Sequence, residues 1–226
     1  MGKDILRFHA IIWPAILLAL GLELPETLVS HGMILANGQK MSKTIGNVID
    51  PLEVLDKHGT EAFRSYFLRH VDTFADSDFT WEKYEDAYNN ELANDLGNLV
   101  QRLATMCKKN NFTESDIEIM DIDRSWPDES EMKYDNLMNA FRFKDAFDYL
   151  WEKVQSVNKQ IDEDKPWSLA KTDPKKLKEV LSSEVTNLLE VNEELKPFLP
   201  ATAKRIKEIF SGIIEPPKEP LFPKVK

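Results

Sequence analysis

Apolar residues are densest near the start of the chain. Between Ile5 and Leu20 they leave no polar face, which predicts an element that is buried core, covered on most sides by a body outside this chain. Thr27 to Leu35 reads as a strand through Leu28, Val29, Met33, Ile34 and Leu35, and Asn37-Gly38 follows as a strong turn pair. A short polar loop, Gln39 to Thr44, then leads through Gly46 and Asn47 to Asp50-Pro51, where a helix can start.

Beyond Pro51 the pattern turns helical almost to the end. Pro51 to Lys57 and Thr60 to His70 read as two short helices parted by Gly59, and Asp76 to Thr80 as a polar connection. Leu92, Leu96, Leu99 and Leu103 recur at helical spacing without a proline, so one long helix is expected from about Trp81 to Lys109, ending at Asn110-Asn111. Thr113 to Glu131 is acidic, contains Pro127 and reads as a connector. Helical periodicity resumes from Met132 to Ile161 through Leu137, Phe141, Phe147 and Leu150, and again from Pro174 to Leu195. The segment Pro197 to Pro200 breaks that helix, Ala201 to Phe210 adds a shorter one, and Gly212 stops it. Pro216, Pro217, Pro220 and Pro223 make Glu215 to Lys226 an extended strap. No repeat is visible, and 8 glycines supply no flexible linker, so a boundary is drawn at roughly residue 80.

Composition narrows the class. With 226 residues, 42% of them apolar, the chain can form one large domain or two small ones, and it is not a disordered, collagen-like or disulfide-scaffold sequence. The balance of 29 Lys+Arg against 39 Asp+Glu, net −10, leaves no global basic footprint, so any nucleic-acid contact must be local and only modestly salt-dependent. Cys107 is the one cysteine and no zinc-ligand spacing occurs, which suits a reducing, cytoplasmic setting. The apolar run Ala10 to Leu22, broken by Pro14 and Gly21, is too short to span a bilayer, and Asp4, His9 and Glu23 around it do not fit a secretory signal. Leu6 stands where a myristoylation signal wants Ser or Thr, so no membrane partner is expected.

The chemistry concentrates in the loop. Lys40 and Lys43 lie three residues apart with Ser42 between them, and two ammonium groups so placed can follow negative charge as it builds on a polyphosphate. From the lysines alone, a solvated basic turn is the plainer reading. Likewise His9 and Trp13, four apart and preceded by Phe8, would share a helix face, though aromatic residues in apolar runs are usually packed core.

The neighbours add a resemblance. Gln39-Lys40-Met41-Ser42-Lys43-Thr44 with Gly46-Asn47 resembles the KMSKS loop of class I aminoacyl-tRNA synthetases. Gly2-Lys3-Asp4-Ile5, Phe8-His9, Trp13-Pro14-Ala15, His31-Gly32, Asp50-Pro51 and Gly59 to Arg69 are similar to the methionyl-tRNA synthetase family, and the resemblance covers essentially the whole chain. It implies that Lys40, Met41, Ser42 and Lys43 bind ATP. Lys43, assisted by Lys40, would stabilise charge as methionine's carboxylate attacks the α-phosphate. Phe8, His9 and Trp13 would line the methionine pocket, where aromatic walls suit a thioether. Thr44 replaces the family's last Ser but keeps a hydroxyl. ATP with Mg2+ is the implied co-substrate, with no metal site in this chain.

The same resemblance implies a mainly α fold. Residues 1–47 would be the C-terminal part of a Rossmann-like catalytic domain, 48–80 a connecting stem-contact region, and 81–226 an α-helical anticodon-binding bundle. No His-Ile-Gly-His type signature occurs, so the chain is expected to be the C-terminal portion of the enzyme, inactive without a separate N-terminal catalytic half.

On the long helix Glu91, Asn94, Asn98, Arg102, Thr105 and Lys109 fall on a polar face, and an amide beside a guanidinium suits unstacked RNA bases, although a solvated face looks the same. Trp167, just after Pro166 between helices, can offer a stacking platform or fold into the bundle. By the resemblance, Asn98, Arg102, Pro166 and Trp167 contact the anticodon of methionine tRNA. The expected partners are therefore that tRNA, ATP, methionine and the N-terminal half. The competing readings are a non-catalytic tRNA-binding or protein-interaction module and a sister class I synthetase for leucine, isoleucine, valine or cysteine.

Overall fold

The computed structural model describes residues 1–117 and 129–225. It is mostly helical, with one small sheet near the start. A 3-10 turn (Lys3–Ile5), a π-helical turn (Phe8–Ile12) and α1 (Trp13–Ala19) form a bent apolar rod. Three short strands follow within the next sixty residues, β1 (Ile34–Ala36), β2 (Gln39–Lys40) and β3 (Ser77–Phe79), in the order β2-β1-β3. β1 pairs antiparallel with β2 and parallel with β3, and the crossover between β1 and β3 is α2 (Pro51–Arg69).

Local chemistry explains the element ends. Asn37 and Gly38 both adopt positive φ, 52° and 74°, as a tight hairpin demands. Asp50 caps α2, its Oδ1 accepting from Leu52 N at 2.9 Å, and Pro51 supplies the first turn. Gly59, at φ 82°, kinks α2 where the sequence parts two helices. Gly32 has a different reason: a Cβ there would lie 2.0 Å from the Ala75 carbonyl oxygen, so only glycine lets the chain before β1 lie against the chain before β3.

The remainder is a bundle. α3 (Trp81–Ala87), a ten-residue π-helical stretch (Tyr88–Gly97) and α4 (Asn98–Lys109) form one continuous rod. Against it pack α6 (Phe143–Asp164) and α8 (Pro174–Leu195), while α5 (Glu129–Asn139) lies on α6, and α7 (Pro166–Thr172) and α9 (Pro200–Ile209) lie on α8. Leu92, Leu96, Leu99, Leu103, Phe147, Trp151, Leu181 and Leu188 are all buried at 2% exposure or less. Cys107 is among these core residues, and burial pushes its thiol up to about 12, which keeps it a small inert hydrophobe. The described residues of the proline-rich tail form no helix or strand; Leu221 and Phe222 plug into the bundle, and the Asn89 side chain exchanges two hydrogen bonds with the Val225 backbone at 3.0 and 3.2 Å.

The apolar run near the start, expected to be covered by a body outside this chain, lies open in it: Ile11, Ile16, Leu18 and Leu20 are more than half exposed, because no other described element covers them. Four expectations need correction. The strand expected over Thr27–Leu35 is confined to Ile34–Ala36, since only there does a neighbour, β3, offer backbone partners. That neighbour is the segment read as a polar connection; Ser77 and Asp78 are partly buried and polar, so it lacks a hydrophobic signal. The long helix is underwound into π geometry over Tyr88–Gly97. Between Met132 and Ile161 the helix breaks at Phe141, which takes φ 58°. Of the expected connector, 118–128 lies outside the described residues.

Candidate active-site loop and nucleic-acid interface

The loop grows out of the hairpin. The register Leu35↔Lys40 and Ala36↔Gln39 fixes where β2 ends, and Gly38 N donates to Asp78 Oδ1 at 2.6 Å, holding the tip against β3. From Met41 the chain curls back on itself. Ser42 N donates to Asn47 Oδ1 at 2.8 Å, while Asn47 Nδ2 reaches the Lys40 carbonyl at 3.3 Å. Ser42 Oγ accepts from Thr44 N at 3.2 Å, and its carbonyl accepts from Ile45 N and Gly46 N at 3.2 and 3.0 Å. Ser42 thus spends its amide, carbonyl and hydroxyl on holding the turn. The Asn47 amide closes it, and Gly46 supplies the left-handed corner at φ 76°.

The two lysines end up in different electrostatic states. Lys40 Nζ lies 2.6 Å from Asp4 Oδ2, and that ammonium holds the Asp4 carboxyl below its ordinary value, chiefly through the hydrogen bond. Lys43 projects from the tip, exposed, and no carboxylate pairs with it among the described residues. A parallel pair, Lys3 to Asp76 at 2.6 Å, lowers Asp76 in the same way, helped by Met33 N donating to Asp76 Oδ1 at 2.8 Å. Together the pairs tie the N-terminal rod to both ends of the sheet.

Phe8, His9 and Trp13 lie on that rod, just beyond Asp4. Phe8 is 59% and Trp13 42% exposed, while His9 is half-buried. The His9 and Trp13 rings meet edge to face at 6.3 Å, and His9 Nδ1 lies 3.1 Å from the Ile5 carbonyl oxygen. The expected helix face therefore exists, and the Asp4–Lys40 pair brings it to the loop. Asp4, Asn47 and Asp76 carry this arrangement without standing out as site residues in the sequence. A polar side chain at a loop end was the one available signal, for Asn47. Among the described residues, no group of three or more His, Cys, Asp or Glu is placed to hold a metal ion.

The second candidate surface lies on the bundle. Asn98 is exposed, and Arg102 on the next turn pairs with Asp162 of α6 at 2.6 Å. Beneath them Asp95 gathers α6: its carboxylate accepts from Trp151 Nε1 at 3.0 Å and Gln155 Nε2 at 3.1 Å, and its carbonyl from Asn158 Nδ2 at 3.1 Å. Just past Asp162, α6 ends at Lys165, whose φ of 48° forces the turn into α7. Pro166 is buried there, and Trp167 stands half exposed. Glu91 leaves the expected polar face altogether. It pairs with Arg69 at 2.8 Å and His70 at 3.0 Å, and Arg69 lies over the Trp151 ring, locking α2 to the bundle.

Comparison with known proteins bears on both surfaces. Residues 1–104 match the family described as tRNA synthetases class I (M). Methionine–tRNA ligase of Caldanaerobacter subterraneus is 39% identical over 219 residues, 92% of this chain and 34% of that protein. The chain is thus similar to methionyl-tRNA synthetases of class I, through the family model over residues 1–104 and through relatives along most of its length. The Thermotoga maritima ligase of the family is 36% identical across 98% of the chain and 36% of its own length. Methionyl-tRNA synthetase of Mycobacterium tuberculosis, solved in complex with methionyl-adenylate, superposes with a TM-score of 0.84 at 29% identity, covering 98% of this chain and 49% of that one. The chain spans about a third of the length of the curated methionine–tRNA ligases it matches.

Proposed function

We propose that this chain is the C-terminal portion of a methionine–tRNA ligase. Residues 1–47 close a Rossmann-like catalytic domain, 48–80 form the stem-contact connection, and 81–226 are the anticodon-binding bundle. The observation that carries the reading is Lys43, presented without a counter-ion among the described residues on a turn built by Ser42 and Asn47, beside a rod bearing Phe8, His9 and Trp13. In the reaction, a carboxylate oxygen of methionine bonds to the α-phosphorus of ATP as the bond to pyrophosphate breaks. Lys43 meets the charge that builds on the departing phosphates. Lys40 joins it by exchanging Asp4 for phosphate, a swap that an exposed pair permits at little cost. Phe8, His9 and Trp13 wall the methionine side chain. Magnesium would arrive with the nucleotide, and no step is assigned to it.

The test is reconstitution. Adding the N-terminal part of a related ligase is expected to give methionine-dependent ATP–pyrophosphate exchange, and Lys43→Ala to lower it by about 100-fold or more. Exchange that survives Lys43→Ala undiminished would refute the assignment. A second reading, a tRNA-binding module without catalysis, is favoured by the bundle's self-contained core; it predicts binding of methionine tRNA by the isolated chain, weakened by Trp167→Ala, with no exchange on reconstitution.

A further inference from the structure

In an acidic chain, positive charge collects beside Trp167. From Lys165 to Lys178 the sequence carries five lysines, Lys165, Lys171, Lys175, Lys176 and Lys178, against one aspartate, Asp173; of the three acidic residues just before this segment, Asp162 pairs with Arg102, Glu163 with Lys159, and Asp164 accepts from Gln160 Nε2. All five are exposed. Asp173 is occupied as the cap of α8, its Oδ1 accepting from Lys176 N at 3.1 Å. Lys178 pairs with Asp116 at 3.0 Å, and Lys175 lies a loose 3.9 Å from Glu179. Lys165, Lys171 and Lys176 have no carboxylate partner among the described residues. Spacing does the rest. Lys171 follows Trp167 by one turn of α7, so ammonium and indole are neighbours on one helix face. A base stacked on Trp167 carries its linking phosphate beside the ring plane, within reach of that ammonium.

Resting on the anticodon reading above, we infer that Lys165, Lys171 and Lys176 form a backbone clamp. They neutralise the RNA phosphates that flank the base stacked on Trp167. Binding of RNA by this chain is then steeply salt-dependent despite the charge of −10, contrary to the expectation from net charge alone. An acidic protein segment would satisfy the lysines but leave the half-exposed ring unused, which is why RNA is the occupant.

The experiment is a salt titration of the full chain binding an anticodon stem-loop hairpin of methionine tRNA. The variants are Lys165→Ala/Lys171→Ala/Lys176→Ala, Trp167→Ala and, as a distant control, Lys204→Ala, each checked for native helicity. The triple variant is expected to flatten the log–log salt slope by about 2, near 0.7 per lost phosphate contact on a single strand. It should also weaken binding at least tenfold at low salt, whereas Lys204→Ala changes neither. An unchanged slope in the triple variant, with Trp167→Ala still weakening binding, overturns the clamp and leaves the platform standing. An equal loss with Lys204→Ala, or displacement of the hairpin by polyglutamate as readily as by unlabelled hairpin, also overturns it. A wild-type chain that binds no hairpin overturns both the clamp and the anticodon reading.

Discussion

Two regions of this molecule are comparably rich in apolar residues and treat them in opposite ways. In the bundle Leu96, Leu99, Leu103, Leu150 and Leu188 are at 0% exposure. In the N-terminal rod Phe8, Ile11, Leu18 and Leu20 are 59% to 67% exposed. The bundle owns enough facing surface to cover its leucines, whereas the rod has, among the described residues, only three short strands and a loop beside it. Apolar density in a sequence marks surface that must be covered; whether the same chain covers it depends on how many elements fold back on it. The reading as part of a longer ligase accounts for the rod.

The comparison can be broken by mutation. Leu96→Ala is expected to cost the most, about 2–5 kcal/mol by urea denaturation, because it opens a cavity at a fully buried position of the core. A loss within 0.5 kcal/mol would deny the bundle its independent core. Glu184 comes next. It is 1% exposed in α8, and burial, with the Asp164 charge nearby, pushes its carboxyl up to about 7. A carboxyl raised in the folded state favours folding below its unfolded value and loses that contribution as pH rises toward 7, so bundle stability should fall between about pH 4.5 and 7 and level off above. Glu184→Gln should remove that slope and stabilise the protein at pH 8 by about 2 kcal/mol. Thermal melts at pH 5 and 8 check both statements.

Between the regions, Asp50→Ala removes the cap of α2 and should cost about 1 kcal/mol, with Asp50→Asn recovering most of it. The smallest effect belongs to the rod: Leu18→Ser should shift stability by less than about 0.5 kcal/mol, since exposed positions have little to lose. It should instead raise solubility. A Leu18→Ser loss as large as that of Leu96→Ala would mean the rod is packed after all, and the contrast would collapse.

Much was legible in the sequence because it is local. Asn37-Gly38, Asp50-Pro51, Gly59, Asn111 and Gly212 each appear where a turn, a cap or a left-handed residue was expected. α8 spans Pro174–Leu195, as its proline start and leucine period imply. The candidate loop was legible from Lys40, Ser42 and Lys43, and Trp167 from the proline before it. What stayed hidden involves distant partners. The strand Ser77–Phe79 is defined by pairing with Ile34–Ala36 rather than by its own residues. Asp4 gains meaning from a lysine 36 residues away, and Glu91 from Arg69 and His70. A face judged by periodicity alone cannot distinguish a carboxylate aimed at solvent from one aimed at an arginine of another helix.

Residue types within a few positions of each other determined where backbone must turn, where helices begin and stop, and which loop carries the two lysines, because capping, left-handed φ and side-chain period act over one or two turns of chain. Only the tertiary structure decided that Lys40 is paired while Lys43 has no carboxylate partner among the described residues. The same holds for Glu91 serving as a brace and for the rod remaining uncovered. Lys40 meets Asp4, and Glu91 meets Arg69, across 36 and 22 residues of chain at 2.6 and 2.8 Å, and such meetings are settled by packing of whole elements.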